Sequence, residues 1–355
     1  MVRFAKRMAA AGRPVRWAVL VALAGALTAA LELGGLPAAF LLGPMIAAIV
    51  LAVAGGTVAI DRRGFVAAQA VVGLMMAGSI PHDIGTELRK DWLLFVLGVM
   101  STVVAAAALG WSISRARLFP GSTAIWGSAP GAASVMTIMS ESFGADMRLV
   151  AFMQYTRVVC CAVVAMLLTR FLGAGGEGVA VPTVHAALAT GPLIGTLAVA
   201  AACGLLAMRV RLPGGALLLS LIVGLILSFT GVLAITLPFW LLAICYVVIG
   251  LTVGMRFTPA VVRHAAHALP RVLMSVVALI AVGGLFALAL VRFAGVDPLT
   301  AYLATTPGGA DTVAIIASAS DVDVPFVMAM QIARFFFVLL TAPTLARYLS
   351  RRMGA

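Results

Sequence analysis

Long apolar runs, almost free of charge, follow one another along this chain. They lie at about 17–33, 36–57, 64–81, 92–113 and 149–169, and again at about 187–208, 213–232, 238–255, 272–291 and 324–346. Each is close to the roughly 20 residues that a helix needs to cross a bilayer. The runs are continuous rather than alternating, which predicts membrane helices and not the strands of a closed barrel. Two further segments, 119–146 and 296–323, are rich in Gly, Ala, Ser and Thr and carry a Pro-Gly pair in the middle. Proline removes a backbone donor and glycine accepts a positive φ, so each pair predicts a helix that breaks or turns back. The expected fold is an all-α polytopic membrane protein of about ten transmembrane helices plus two re-entrant or broken Pro-Gly hairpins.

The pattern occurs twice, at an offset of about 176–177 residues. The stretch from Leu36-Pro37 to Gly55 aligns with Leu212-Pro213 to Gly231, and Val72-Gly73-Leu74 aligns with Ile249-Gly250-Leu251. Ser128-Ala129-Pro130-Gly131-Ala132-Ala133-Ser134 faces Thr305-Thr306-Pro307-Gly308-Gly309-Ala310-Asp311. In the same register Asp146 meets Asp323, Met153-Gln154 meets Met330-Gln331, and Arg157 meets Arg334. The domain organisation expected from this is one repeat over 1–175, a linker over 176–185 and a second repeat over 186–355.

Composition agrees with a membrane protein: 63% of residues are hydrophobic, 10% are charged, and the mean hydropathy is +1.15. These values exclude a soluble enzyme, a DNA-binding regulator and a disordered chain. The net charge of +12 raises nucleic acid as a partner. The basic residues, however, sit in short loops without interleaved aromatics, so no nucleic-acid partner is expected and the charge orients the chain in the bilayer. If each Pro-Gly segment enters and leaves on one side, each repeat crosses five times and the second is inverted. Eighteen of the 24 Lys and Arg then fall on the cytoplasmic side and four outside, with Arg157 and Arg334 inside spans. Were the Pro-Gly segments to cross, the split would weaken to fourteen and eight, so the positive-inside rule favours inverted repeats with both termini cytoplasmic. The basic N-terminus precedes an apolar run without a small-residue cleavage site before Glu32, which predicts a retained first span.

Interrupted helices within inverted repeats are the architecture of secondary transporters, because a broken helix exposes backbone groups that only a protein-lined cavity can satisfy. Helices restarting after Pro130-Gly131 and Pro307-Gly308 direct N-terminal dipoles into that cavity, and Ser128, Ser134, Thr305, Thr306 and Thr312 add hydroxyls. The same residues also permit close packing and kinks. Arg157 and Arg334 lie near the middle of their spans, where an arginine costs about 2.5–3.5 kcal/mol and faces the bundle interior. Gln154 and Gln331 precede them by three residues, on the same helical face. Each pair offers a forked cation beside an amide, suited to a carboxylate ligand or to the carbonyls of the break. Asp311, opposite Ser134 in the repeat, is either a proton carrier or a helix cap. Asp146 and Asp323 read as caps.

No metal or cofactor is expected. His264 and His267 have ligand-like spacing but sit among Arg256, Arg263 and Arg271 without further ligands. The four cysteines lie inside apolar runs, the small-hydrophobe use of cysteine.

Through the repeated Pro-Gly-x-Ala-like and Gln-x-x-Arg signatures, with Leu36-Pro37 to Gly43-Pro44, the chain resembles the AbrB-type duplicated membrane protein family over essentially its whole length. The labels carried by that family name a transcriptional regulator or an ammonia monooxygenase. This sequence holds neither a DNA-binding module nor a set of copper or iron ligands. In layout it is also similar to inverted-repeat carriers with re-entrant hairpins, such as the citrate and glutamate symporters. The function expected is secondary active transport, not enzymatic, of a small organic anion or amphipathic metabolite by alternating access in an inner membrane, with a homodimer as a further expectation. Substrate would be held by Ser128, Pro130, Gly131, Ser134, Gln154, Arg157, Thr305, Thr306, Pro307, Gly308, Asp311, Gln331 and Arg334. The alternative is a membrane-embedded ligand sensor that regulates gene expression through a partner protein.

Overall fold

The computed structural model describes residues 8, 11–34, 39–78, 92–116, 119–120, 122–131, 133–171, 190–210, 215–308, 313, 317 and 322–352. Among the described residues all regular structure is helical. The elements are α1 (Arg13–Leu33), α2 (Ala39–Val53), α3 (Arg62–Gly78), α4 (Trp92–Arg115), α5 (Thr123–Ser128), α6 (Ala133–Ser142) and α7 (Met147–Phe171). They continue as α8 (Thr190–Arg209), α9 (Gly215–Phe229), α10 (Phe239–Met255), α11 (Pro259–Ala289, extended by a π-helical turn, Leu290–Ala294), α12 (Pro298–Thr305) and α13 (Val324–Arg352).

Each of the ten apolar runs coincides with a helix. Among the described residues six helical stretches are long and apolar enough to cross a membrane: Arg13–Leu33, Trp92–Arg115, Met147–Ala165, Gly191–Arg209, Pro259–Ala294 and Val324–Thr344. The helices α2, α9 and α10 are apolar but shorter, at 15, 15 and 17 residues. Outward faces carry Val21, Trp92, Leu285, Leu288, Phe293 and Leu340, all exposed. A helix of a soluble protein would place charge there, so this surface suits lipid.

The duplication is visible in the helix boundaries. α1 and α8, α3 and α10, and α7 and α13 each begin 177 residues apart. The ends of α2 and α9 repeat in detail. Gly55 and Gly231 take positive φ (78° and 72°), Gly55 N–H and Gly231 N–H bond back three residues, and Gly56 N–H and Val232 N–H bond back five. This is the glycine-terminated cap that satisfies the last carbonyls of a helix.

The chain divides into two compact units that cut across the repeats. One comprises Met1–Ser79 and Val184–Ala266, the other Ile80–Thr183 and His267–Ala355. In the first unit the tightest pairs join helices of different repeats, α2 with α10 and α3 with α9. Glycines make this possible: a methyl on Gly250 would collide with the Leu41 carbonyl, and one on Gly73 with the Leu217 carbonyl and Ser220. Gly254 lies against Ala48, and Gly224 against Ala77, so each pair sets a glycine against an alanine with the two residue types exchanged between copies. Without a hydrophobic drive between helices in lipid, such close approach is how helices hold together. The second unit contains α4 to α7, most of α11, and α12 and α13. Its core packs Phe95, Leu299, Leu303, Val327 and Met330 together, with the Phe95 and Phe326 rings 5.5 Å apart.

Candidate functional site

The site is built in the second unit, where two short helices stop at their Pro-Gly pairs. α5 ends at Ser128 because Ala129 precedes a proline and takes an extended conformation, φ −59° and ψ 126°. α12 ends at Thr305 for the same reason, with Thr306 at φ −57° and ψ 133° before Pro307. In an unbroken helix the Trp126 carbonyl would accept from residue 130 and the Leu303 carbonyl from residue 307. Both are proline and have no N–H, so each break leaves buried carbonyls without a donor.

A glutamine and an arginine one helical turn apart supply the missing donors. From α7, Gln154 Nε2 donates to Trp126 O (2.8 Å) and Ala129 O (3.0 Å), while Arg157 donates through Nη1 to Ala129 O (2.7 Å) and Nη2 to Gly131 O (3.0 Å). From α13, Gln331 Nε2 donates to Leu303 O (2.7 Å) and Thr306 O (3.2 Å). Arg334 donates through Nη1 to Thr306 O (2.7 Å) and Nη2 to Gly308 O (3.5 Å) and to Gln331 Oε1. Each of these main-chain acceptors has its counterpart 177 residues away in the other break; Gln331 Oε1 has none. All four side chains are buried: exposure is 0% for Gln154, 1% for Arg157, 1% for Gln331 and 4% for Arg334. The loops below the breaks are fastened alike. Thr123 Oγ1 accepts from Asp146 N–H and Thr300 Oγ1 from Asp323 N–H, at 3.1 and 3.2 Å.

The copies differ at two further positions, the arginine Nε and the hydroxyl that ends the broken helix. Arg334 Nε reaches beyond its own break and donates to Pro130 O at 3.1 Å, tying the two breaks together. Among the described residues Arg157 Nε is buried with no partner. Thr305 Oγ1 donates within its own helix to Ala301 O (2.9 Å) and Tyr302 O (3.3 Å), whereas its counterpart Ser128 Oγ is buried with no partner among those residues. Ser128 and Arg157 line a crevice of about 10 Å3, room for roughly one water, whose walls are Ala106, Leu109, Gly127, Met153, Val272, Ser275, Val276 and Leu279.

Of the residues named from sequence, Ser128, Pro130, Gly131, Gln154, Arg157, Thr305, Thr306, Pro307, Gly308, Gln331 and Arg334 therefore lie in or beside these two breaks. Ser134 sits in the first turns of α6. Asp311 and Thr312 lie outside the described residues. Asp323 Oδ1 accepts from Phe326 N–H at 3.0 Å and caps α13, while Asp146 both caps α7 through Arg148 N–H (3.0 Å) and pairs with the Arg148 guanidinium at 2.8 Å. Burial raises the Asp146 carboxyl pKa, but the hydrogen bonds and charge of Arg148 outweigh it and hold the group below the ordinary carboxylate value. His264 and His267 both fall on α11, and among the described residues no three of His, Cys, Asp and Glu come together.

Sequence reasoning missed the walls of the crevice, because Leu109, Val272 and Val276 are of the same types as lipid-facing positions. Cys161 was missed as well: it is buried one turn beyond Arg157 on α7, and a methyl on Gly308 would come within 3.4 Å of its Cβ. The spacing Arg157-x-x-x-Cys161 was the available signal.

Comparison with known proteins places this architecture. Residues 40–350 match the family model described as transition state regulatory protein AbrB. The chain is 40% identical over 337 residues to the "Putative regulator AbrB" of Escherichia coli strain K12, covering 95% of this chain and 97% of that protein. It is 26% identical over 369 residues to the "Uncharacterized protein YhjN" of Bacillus subtilis strain 168, covering 95% and 94%. The match spans both breaks, both Gln-x-x-Arg signatures and the helices that carry them, and the chain belongs to the AbrB family.

Proposed function

We propose that this protein is a secondary active transporter of a small organic anion or amphipathic metabolite, working by alternating access across an inner membrane. The observation that carries the reading is the twin pair of broken helices, each held by a buried arginine and glutamine. Non-helical backbone at membrane depth is tolerated where it is enclosed by protein or lines a cavity, and midplane breaks of this kind mark substrate sites in carriers. Two guanidinium groups whose described partners are neutral carbonyls leave a positive field at the breaks, which favours an anion. In this reading ten helices cross the membrane, the repeats are inverted, and both termini face the cytoplasm, as the distribution of Lys and Arg favours. The protein is not an enzyme and acts without cofactor or nucleic acid, as a homodimer in the bilayer.

The test is uptake into proteoliposomes of labelled organic acids, with amino acids and amines alongside. Uptake of an anion that is lost in both Arg157→Ala and Arg334→Ala supports the carrier. A folded protein that moves none of the three classes sinks it. For topology, a reporter after residue 352 is expected in the cytoplasm and one within 175–185 on the opposite side; the reverse of either overturns the inverted arrangement.

The second reading is a membrane-embedded sensor that binds a ligand and regulates gene expression through a partner protein. The word "regulator" in the name of the Escherichia coli relative favours it. Ligand binding without flux is the outcome that selects it.

A further inference from the structure

We infer that the bond tying the two breaks together is handed from one copy to the other as the protein changes state. In this structure Arg334 Nε donates to Pro130 O; in a second state Arg157 Nε donates to Pro307 O and Arg334 Nε is released. The inference rests on the carrier reading and deepens it, by naming a contact that differs between the two states.

The breaks are copies in nearly everything that holds them. Each carbonyl that accepts from Gln154 or Arg157 has a counterpart 177 residues on that accepts from Gln331 or Arg334. The bond between the breaks is the exception. Arg334 Nε reaches Pro130 O at 3.1 Å, whereas Arg157 Nε is buried with no partner among the described residues. The duplication assigns it an acceptor, the carbonyl of Pro307, which stands to Arg157 as Pro130 stands to Arg334. Both arginines and both prolines are buried. Residue type therefore does not choose between the two ties, and the structure makes one of them. Leaving a buried cationic N–H unbonded is costly, and the cost is of one kind whichever arginine bears it. Between two arrangements so nearly matched, a modest difference in ligand affinity shifts the population.

Inverted repeats are related by an axis in the membrane plane, which exchanges the two sides of the bilayer. When the copies trade conformations, the state open to one side becomes the state open to the other, and the tie moves with them. The first break has room for this. Its turn is flanked by a cavity of about 10 Å3 beside Ser128 and Arg157 and one of about 20 Å3 beside Trp126, Ala129 and Pro130, each with space for roughly one water. Close packing on both faces would pin the turn, and these gaps relieve it. The second break has buried atoms of its own without a partner among the described residues, Thr306 Oγ1 and Tyr302 OH. Their counterparts are Ala129 and Ile125, so that difference is one of sequence and not of state.

The experiment is NMR of the purified full chain in detergent, with 15N-labelled arginine. The Nε–H signals of Arg157 and Arg334 are assigned by their absence in Arg157→Lys and Arg334→Lys. A hydrogen bond moves such a proton downfield and slows its exchange with water. In the parent, Arg334 Nε–H is expected to exchange about tenfold more slowly than Arg157 Nε–H, the protection that one bond to a charged donor gives. Relaxation dispersion is expected to return one common rate for the two. Arg334→Lys keeps the charge and removes the Nε donor, so Arg157 Nε–H is expected to move to the bonded position and slow about tenfold. Arg157→Lys leaves Arg334 Nε–H bonded and abolishes its dispersion. An Arg157 Nε–H with parental shift and exchange rate in folded Arg334→Lys overturns the inference; a water held on Arg157 would give that result. Should Arg334→Lys not fold, the parent decides: unrelated rates at the two arginines, or no dispersion at Arg157, overturn it. Failure of the carrier reading looks different. A common exchange rate without uptake of any solute into proteoliposomes removes the carrier and leaves a two-state switch. Uptake that needs both arginines, with an Arg157 Nε–H indifferent to Arg334→Lys, keeps the carrier and removes the hand-over.

Discussion

The two compact units solve the same problem, holding apolar helices together without a hydrophobic drive, by opposite means. The first brings α2 against α10 and α3 against α9 until backbone meets backbone at Gly73, Gly250 and Gly254. The second keeps its helices together around polar groups: two prolines open the helices, and Gln154, Arg157, Gln331 and Arg334 close the openings with bonds of 2.7 to 3.5 Å. Packing of the first kind has one good arrangement and resists change. A hydrogen-bonded break is held instead by a few donors, each shared among main-chain carbonyls, so its stability rests on single side chains. The chain places its buried arginines, expensive in a membrane, in the second unit alone among the described residues.

The sharpest way to break this contrast is Arg334→Ala. It removes the donors to Thr306 O and Gly308 O and the tie to Pro130 O, leaving buried carbonyls unpaired. Loss of one partner from a buried charged network costs about 3–5 kcal/mol. Native cysteines report where the damage falls, since Cys161 lies in the second unit and Cys203 and Cys245 in the first, all buried. On warming with a maleimide, Cys161 is expected to label several degrees below its temperature in the parent, while Cys203 and Cys245 keep theirs. Simultaneous labelling of all three would show one cooperative body, and the contrast would fall.

The converse substitution is Gly250→Val. Its side chain meets the Leu41 carbonyl, which cannot rotate away as a side-chain tip would. Overpacking of this kind costs about 1–3 kcal/mol. Cys245, on the same helix, is then expected to label first and Cys161 to keep the parental temperature. The same order as in Arg334→Ala would mean that α2 and α10 do not anchor the first unit.

Much of this was legible in the sequence, and the parts that were not share a cause. The helices followed from apolar run length, the breaks from Pro130-Gly131 and Pro307-Gly308, and the inward face of α7 and α13 from a charge where lipid forbids one. What Gln154 and Arg157 touch was left open between a ligand and the break, because their partners Trp126 O, Ala129 O and Gly131 O are main-chain atoms that no residue type announces. The cross-repeat pairing was hidden for a similar reason: Gly73 and Gly250 matched in the repeat, but a glycine does not say which backbone it lets in. The difference between Ser128 and Thr305 was invisible, since both are hydroxyls and only geometry separates a satisfied one from a free one.

A smaller effect sharpens the account of the second unit from within. Gln331→Leu leaves Leu303 O without its 2.7 Å donor, at about 1–3 kcal/mol for an unpaired buried carbonyl. Gln154→Leu does the same to Trp126 O. Gln331 also accepts from Arg334 Nη2, which without it keeps only the longer bond to Gly308 O (3.5 Å), so Gln331→Leu is expected to lower the melting temperature more than Gln154→Leu. An equal fall would mean that the contact between Gln331 and Arg334 contributes nothing.

The smallest predicted effect lies at the starts of α7 and α13, where the two copies cap alike but only one carries an ion pair. Asp146 and Asp323 both accept from the backbone of the helix that follows, and Asp146 alone pairs with a guanidinium, that of Arg148. The Asp146 pKa is depressed in the folded protein, so the group contributes stability above the unfolded carboxylate value of 3.8 and loses it as pH falls through the lower folded value. Because the pair is partly exposed, its worth is about 0.5 kcal/mol and is screened by salt. Arg148→Gln removes the pair and leaves the cap. It is expected to lower the melting temperature at pH 7 by about a degree, with the difference from the parent shrinking below about pH 4 and in high salt. A difference that persists unchanged at low pH would assign the effect to the long side chain of Arg148 packing along α7, and not to its charge.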